Sequence, residues 1–116
     1  MRVFIAERLP QVRLALKAVL TQHPEVQVVG EAAHAQDLVA EVPQAQPDLL
    51  LLSWEMAQQV NFDALHQSCP HLFVVALSGR PELRQEALEA GADAFVSKTD
   101  SPESLLTAII GWRDPE

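Results

Sequence analysis

The stretch Pro47-Asp48-Leu49-Leu50-Leu51-Leu52-Ser53 constrains this chain more than any other. Four leucines in a row, after Pro-Asp and before a polar residue, describe a strand with no solvated face. A strand buried on both sides belongs in the middle of a parallel sheet covered by helices. In open α/β sheets the functional crevice lies outside the carboxyl ends of the strands. Ser53 therefore stands where chemistry is expected.

The rest of the chain repeats the strand–helix alternation. Arg2 to Ala6 is a short apolar run, the first strand. Pro10 suits the first turn of a helix, and Val12, Ala15, Leu16, Val19 and Leu20 recur at helical spacing to about Gln22. His23-Pro24 ends it, because the residue before proline is pushed out of the α region. Val26 to Gly30 is a second strand, whose polar interruption suits a place near an edge. Ala35 to Val42 is a short helix closed by Pro43 and Pro47. After Met56 comes a polar loop, Ala57 to Val60, and then Asn61 caps a short helix to about Ser68. Phe73 to Leu77 is a strand. Pro81 starts a lean helix with a thin stripe of Leu83, Ala87 and Ala90, and Gly91 fits the left-handed position past its end. Ala94 to Ser97 is the fifth strand. Ser101-Pro102-Glu103 opens a fifth helix, to about Trp112, with cap, first-turn proline and an acid at the positive end of the dipole. Strands alternating with helices imply a parallel sheet with right-handed crossovers and helices on both faces.

The 116 residues fit a single domain, 1–116. Net charge of −8 argues against direct nucleic-acid binding by this domain. The lone cysteine, Cys69, excludes an internal disulfide and points to a cytoplasmic setting. No apolar run approaches the roughly 20 residues of a membrane span, and Arg2 to Ile5 is too short for a signal peptide. His23, His34, His66 and His71 lack metal-ligand spacing and read as loop or surface residues. The four glycines are isolated, so there is no glycine-rich phosphate loop.

Five stretches, Arg2 to Ala6, Val28 to Ala32, Pro47 to Leu52, Val75 to Ser78 and Glu89 to Phe95, together with Lys98, carry a resemblance to the receiver domain of bacterial two-component response regulators. The ending Lys98 to Leu106 resembles the subclass that carries a helix-turn-helix output domain. The resemblance covers nearly the whole chain and implies a flavodoxin-like sheet in strand order 2-1-3-4-5. It also implies a site: an acidic pair for magnesium at Glu7 and Arg8, a phosphoryl acceptor at Ser53, phosphate contacts at Ser78 and Lys98, and a switch aromatic at Phe95.

Two positions depart from that pattern. Ser53 has no carboxylate, so the acyl-phosphate chemistry of the family has no nucleophile, and a serine hydroxyl serves only with a base to activate it. Arg8 puts a fixed cation where an acid holds the metal. At about 4 Å and an effective dielectric of ~20, that costs on the order of 4 kcal/mol per unit charge. Hard cations need oxygen ligands, so Mg²⁺ binding is expected to be lost or weak, and no other cofactor is implied. Ala57 stands where the family usually has a proline, and the shorter span from Ser53 to Ser78 implies that the third helix or its loop is trimmed.

The expectation is a degenerate receiver: a signalling module rather than an enzyme, working through a protein partner, its own output domain or a second copy of itself. Arg8 is either an internal surrogate for the metal, paired with Glu7 or Glu55, or a solvated loop arginine. Ser53 is either a relic or a target for a separate serine kinase. The broad apolar surface of the last helix, widened by Leu106, Ile110 and Trp112, is core or an interaction face. Two alternatives stand beside this reading. One is a receiver still gated by an anion or by serine phosphorylation. The other is a flavodoxin-like enzyme or cofactor carrier, against which stand the missing phosphate loop and the lack of a base near Ser53.

Overall fold

The computed structural model describes residues 1–97. Strands β1 (Arg2–Ala6), β2 (Gln27–Ala32), β3 (Leu49–Ser53), β4 (Phe73–Ser78) and β5 (Ala94–Ser97) form one parallel sheet in the order β2-β1-β3-β4-β5. Helices α1 (Pro10–Leu20), α2 (Leu38–Ala45), α3 (Phe62–Ser68) and α4 (Arg84–Ala90) connect them. The helix expected over residues 101–112 lies outside the described residues.

The leucine run explains the layering. All four leucines are fully buried, and alternate ones feed opposite cores because strand side chains point to alternate faces. Leu49 and Leu51 join Val3, Ile5, Val75 and Leu77 on the face covered by α1 through Leu16 and Leu20. Leu50 and Leu52 join Phe4, Val74, Ala76 and Phe95 on the opposite face, under Leu38 and Val42 of α2, Leu65 of α3 and Ala87 of α4.

Aspartates fix where neighbouring strands begin. Asp48 accepts the Arg2 N–H on its carboxylate at 2.8 Å, and its own N–H donates to the Arg2 carbonyl. Asp93 does the same for β4, accepting from Val74 N–H at 2.8 Å and donating to the Val74 carbonyl. Asn61 caps α3 as its type requires, its Oδ1 accepting the Ala64 N–H at 3.0 Å. Gly91 follows α4 with φ +131°, a region that favours glycine.

Several sequence expectations need correction. The strand expected over Val26–Gly30 runs Gln27–Ala32, because pairing with β1 continues to Ala6 opposite Ala32 and the Glu7 N–H still reaches the Ala32 carbonyl. Pairing skips Val29, so Gly30 lies opposite Phe4. Pro43 does not close the second helix. A 3₁₀ turn, Ala35–Asp37, leads into α2, and Pro43 sits inside it. The lost bond is to Val39, which is exposed, where water can take the carbonyl. The helix ends at Gln46, left-handed at φ +51°, whose N–H returns to the Val42 carbonyl. The expected polar loop Ala57–Val60 is mostly a 3₁₀ run, Trp54–Gln59, with Trp54, Met56 and Ala57 buried. A three-residue period puts Trp54 and Ala57 on one side, which polarity alone does not reveal. On α1, Ala15 is exposed. Its covered stripe is Val12, Leu16 and Val19, half-buried, and Leu20, buried.

Helix α1 is also tied to the edge strand. Glu31 of β2 accepts from Arg13 Nε at 3.1 Å and Lys17 Nζ at 2.7 Å. The Lys17 hydrogen bond, helped by Arg13, holds the Glu31 carboxyl below its ordinary range.

Two outcomes follow for stability. A Cβ at Gly30 meets Phe4 Cε2 at 2.6 Å, inside the core, so Gly30→Ala is expected to lower unfolding free energy by about 1–3 kcal/mol, read from urea midpoints. The Glu31 contribution has the sign of a depressed carboxylate. It is complete above the unfolded value of about 4.3 and is lost as pH falls through the folded value. Glu31→Gln is therefore expected to cost about 0.5 kcal/mol at pH 7 in low salt, since the pair is largely exposed, and nothing once the carboxyl is protonated. Urea melts of both proteins across pH 3–7 check this.

Candidate functional site

The carboxyl ends of β1, β3 and β4 bring together three of the residues singled out from the sequence. Glu7 extends β1 by one residue and is 3 % exposed. Its carboxylate turns forward to accept the Leu9 N–H at 3.1 Å, at the entry to α1. The loop it begins is braced from α1, where Arg13 Nη1 donates to the Glu7 carbonyl at 2.7 Å and the Arg8 carbonyl at 3.2 Å. Arg8 itself points to solvent and forms no ion pair with a described residue.

Ser53 closes β3 and Ser78 closes β4; they are 2 % and 0 % exposed. Both hydroxyls meet one carboxylate. Ser53 Oγ donates to Glu55 Oε1 at 2.8 Å, and Ser78 Oγ donates to Glu55 Oε2 at 3.1 Å. Behind Ser78, the Arg80 N–H donates to the same Oγ at 3.1 Å. That donor orients the hydroxyl, since its lone pair faces Arg80 and its proton faces Glu55. Glu55 itself is exposed, covering the two buried serines from the solvent side.

Trp54, the residue between Ser53 and Glu55, carries the site outward. Trp54 is buried and donates its Nε1–H to Glu86 of α4 at 3.3 Å. Its ring packs on Phe62 of α3, centroids 6.0 Å apart. Phe95 on β5 is 6 % exposed within the core face under α2, α3 and α4, and its carbonyl lies 3.5 Å from Arg84 Nη1. Lys98, Leu106, Ile110 and Trp112 lie outside the described residues.

Sequence reasoning missed the two-handed role of Glu55, which it weighed as a partner for Arg8, and the bracing role of Arg13. The signal for Glu55 was present: a carboxylate two residues past a buried hydroxyl, on a turn that follows the strand. The statement that Ser53 has no base nearby also needs correction, because a carboxylate lies in hydrogen-bond contact. A carboxylate alone is too weak a base to activate a serine at neutral pH, a task that hydrolases give to an imidazole. Among the described residues no group of three His, Cys, Asp or Glu side chains is arranged to hold a metal. His66 lies on α3, partly buried. Cys69 caps the end of α3, where burial pushes its thiol up.

Comparison with known proteins bears on what this geometry descends from. The family model of the response regulator receiver domain matches residues 3–110. The chain is 35% identical over 103 residues to a protein-glutamate methylesterase/protein-glutamine glutaminase 3 of Syntrophomonas wolfei, covering 84% of this chain and 29% of that protein. It is 26% identical over 113 residues to the response regulator protein VraR of Staphylococcus aureus, covering 93% of this chain and 54% of that one. The chain thus spans about half or less of the length of these relatives. Among solved structures, the isolated REC domain of RcsB from Salmonella enterica serovar Typhimurium superposes with a TM-score of 0.85 at 22% identity, covering 98% and 88% of the two chains. The signal receiver domain of NarL from Mycobacterium tuberculosis gives 0.84 at 22% identity, covering 99% and 97%. These likenesses show the flavodoxin-like receiver fold.

The hydrogen bonds predict the weight of Ser78. Ser78→Ala removes one bond to an ionised carboxylate and the acceptor for the Arg80 N–H, which lies near water. The expected loss is about 1–2 kcal/mol, measured as a shift of the urea midpoint with an unchanged m-value.

Proposed function

The chain belongs to the response regulator receiver domain family, and we propose that it is a receiver whose phosphorylation site has been retired and which signals through protein contacts. One observation carries the reading. The acceptor position at the end of β3 is a serine, and its hydroxyl is engaged by Glu55 at 2.8 Å. A carboxylate can take a phosphoryl group as an acyl phosphate; a serine must first lose a proton to a competent base.

The donor set for magnesium supports the same reading. Of the positions that match the family's metal pair, Glu7 directs an oxygen to the Leu9 N–H and Arg8 is a cation. With Ser53 in place of the acceptor, the oxygen-rich, anionic cage that a hard cation needs does not fit these residues. In this reading Glu7, Arg8, Ser53, Ser78 and Lys98 form a degenerate pocket, Phe95 is a packed residue at the former switch position, and the domain, 1–116, has no catalytic activity of its own. Its partners are another protein, an output domain or a second copy, with Leu106, Ile110 and Trp112 offered as the contact face on the strength of their apolar spacing. No described helix is long and apolar enough to cross a membrane. A cytoplasmic setting belongs to the same proposal, supported by the lone cysteine.

The test uses Trp54, buried between Ser53 and Glu55 in the chain and hydrogen-bonded to Glu86, in a Trp112→Phe background so that it alone reports. Tryptophan fluorescence is expected to stay flat through titrations of Mg²⁺ and then beryllofluoride, and intact mass after acetyl phosphate is expected to be unchanged. Saturable Mg²⁺ binding or an added phosphoryl mass would overturn the reading.

A further inference from the structure

The ends of β3 and β4 offer two buried hydroxyl donors, Ser53 and Ser78, on adjacent strands, with Ser53 paired to Leu77 in the ladder. Two convergent O–H donors are what an oxyanion needs, and each oxygen of the Glu55 carboxylate takes one of them. The Arg80 N–H fixes the Ser78 proton toward that carboxylate. We propose that Glu55 is a resident occupant of an oxyanion subsite at the ends of β3 and β4, and that it holds β3, β4 and α4 in the arrangement an external anion would otherwise impose.

Three observations carry this. The carboxylate is tethered two residues from Ser53 on a 3₁₀ turn, so it competes for the subsite intramolecularly, at a concentration set by the turn rather than by the solution. Its negative charge disfavours an incoming anion at the same donors. The turn that carries it is gripped on the other side by α4, through the Trp54 Nε1–H to Glu86, and by α3, through the Trp54–Phe62 contact. Ser53, Glu55, Ser78 and Trp54 thus form one path from the sheet ends to α4. The inference rests on the strand-end pocket being a receiver's phosphate site, and it states how that site is regulated: by an anion the chain itself supplies.

The experiment compares the whole chain as wild type, Glu55→Ala and Glu55→Gln, with sodium chloride, acetate or sulfate at matched ionic strength. The readouts are thermal midpoint and amide hydrogen exchange across Arg80 and α4. Glu55→Ala is expected to melt lower by about 5 °C, the scale of one lost charge-assisted bond in a domain of this size. Exchange at α4 is expected to speed up about tenfold, the factor that corresponds to 1.4 kcal/mol. Acetate and sulfate should restore Glu55→Ala by more than they stabilise the wild type, whose response measures the general salting effect. Glu55→Gln should stay near wild type and show no extra anion response, because its amide can accept one hydroxyl and donate to the other.

A Glu55→Ala protein with wild-type melting and exchange would overturn the proposal. So would a destabilised one that gains no more from anions than the wild type does. If Glu55→Ala does not fold, the Ser53→Ala/Ser78→Ala double variant reads the same coupling: faster exchange at α4 supports the proposal and unchanged exchange sinks it. These outcomes are separable from the functional reading, which the mass of the wild type decides. Phosphoryl transfer to the wild type would remove the retired-site reading, whereas a null result at Glu55 would leave that reading standing.

Discussion

The whole molecule depends on burying β3 on both faces. Leu49 to Leu52 reach zero exposure, and each fully buried leucine contributes about 1.5–3 kcal/mol of transfer free energy. The run also creates a problem. A one-residue slip normally moves a strand's apolar set to the wrong face, and that penalty specifies register. A strand of four leucines presents the same surface after a slip, so its pattern cannot specify its own register. The ends must do so. Asp48 exchanges two hydrogen bonds with Arg2 at the start of β1, and Ser53 meets Glu55 and, through it, Ser78 at the finish.

Register then determines the site. With Leu49 to Leu52 aligned on Phe73 to Ala76, Ser53 falls opposite Leu77 and one residue short of Ser78. The two hydroxyls are thereby offset by about one residue along adjacent strands, near enough for a single carboxylate to span them. Parallel strands place all their carboxyl ends on one edge, which is why the loop after β1 opens beside the same pocket. Arg13 holds that loop by its carbonyls while also pairing with Glu31 on the far side. One guanidinium therefore links the edge strand, the first helix and the pocket rim.

Elements with a strong local cause were legible in the sequence. β5 was read with its observed bounds, the Asn61 cap and the Gly91 turn were anticipated from residue type, and the central strand from its apolar run. What escaped depends on tertiary geometry. The β1–β2 offset at Val29 exists because Gly30 yields its Cβ space to the Phe4 ring, and no windowed pattern carries that. Pro43 is tolerated because the carbonyl it leaves unpaired faces the exposed side of α2. The turn after Ser53 looked polar because Gln58 and Gln59 are, yet Trp54 and Ala57 on its other side are buried. The positions of Glu7, Ser53 and Ser78 at the carboxyl ends of their strands were legible from the apolar runs that precede them. The role of Glu55 was not, because it follows from the distance between two strands rather than from spacing along one.

A site that binds a ligand usually keeps something unsatisfied for the ligand to complete. Receivers with several acids in one pocket hold like charges together, and a bound cation relieves that repulsion. On the proposed reading the corresponding pocket has a serine for one acid and an arginine for another, and the Ser53 and Ser78 hydroxyls are both turned to Glu55. Among the described residues no buried side-chain nitrogen or oxygen lacks a hydrogen-bond partner. On the proposed reading an anion arriving at Ser53 and Ser78 must replace bonds already made to Glu55, and the net value of a hydrogen bond is only about 1 kcal/mol. On the proposed reading, a serine at the acceptor position and a carboxylate across both hydroxyls act in one direction: they leave less for a ligand to complete.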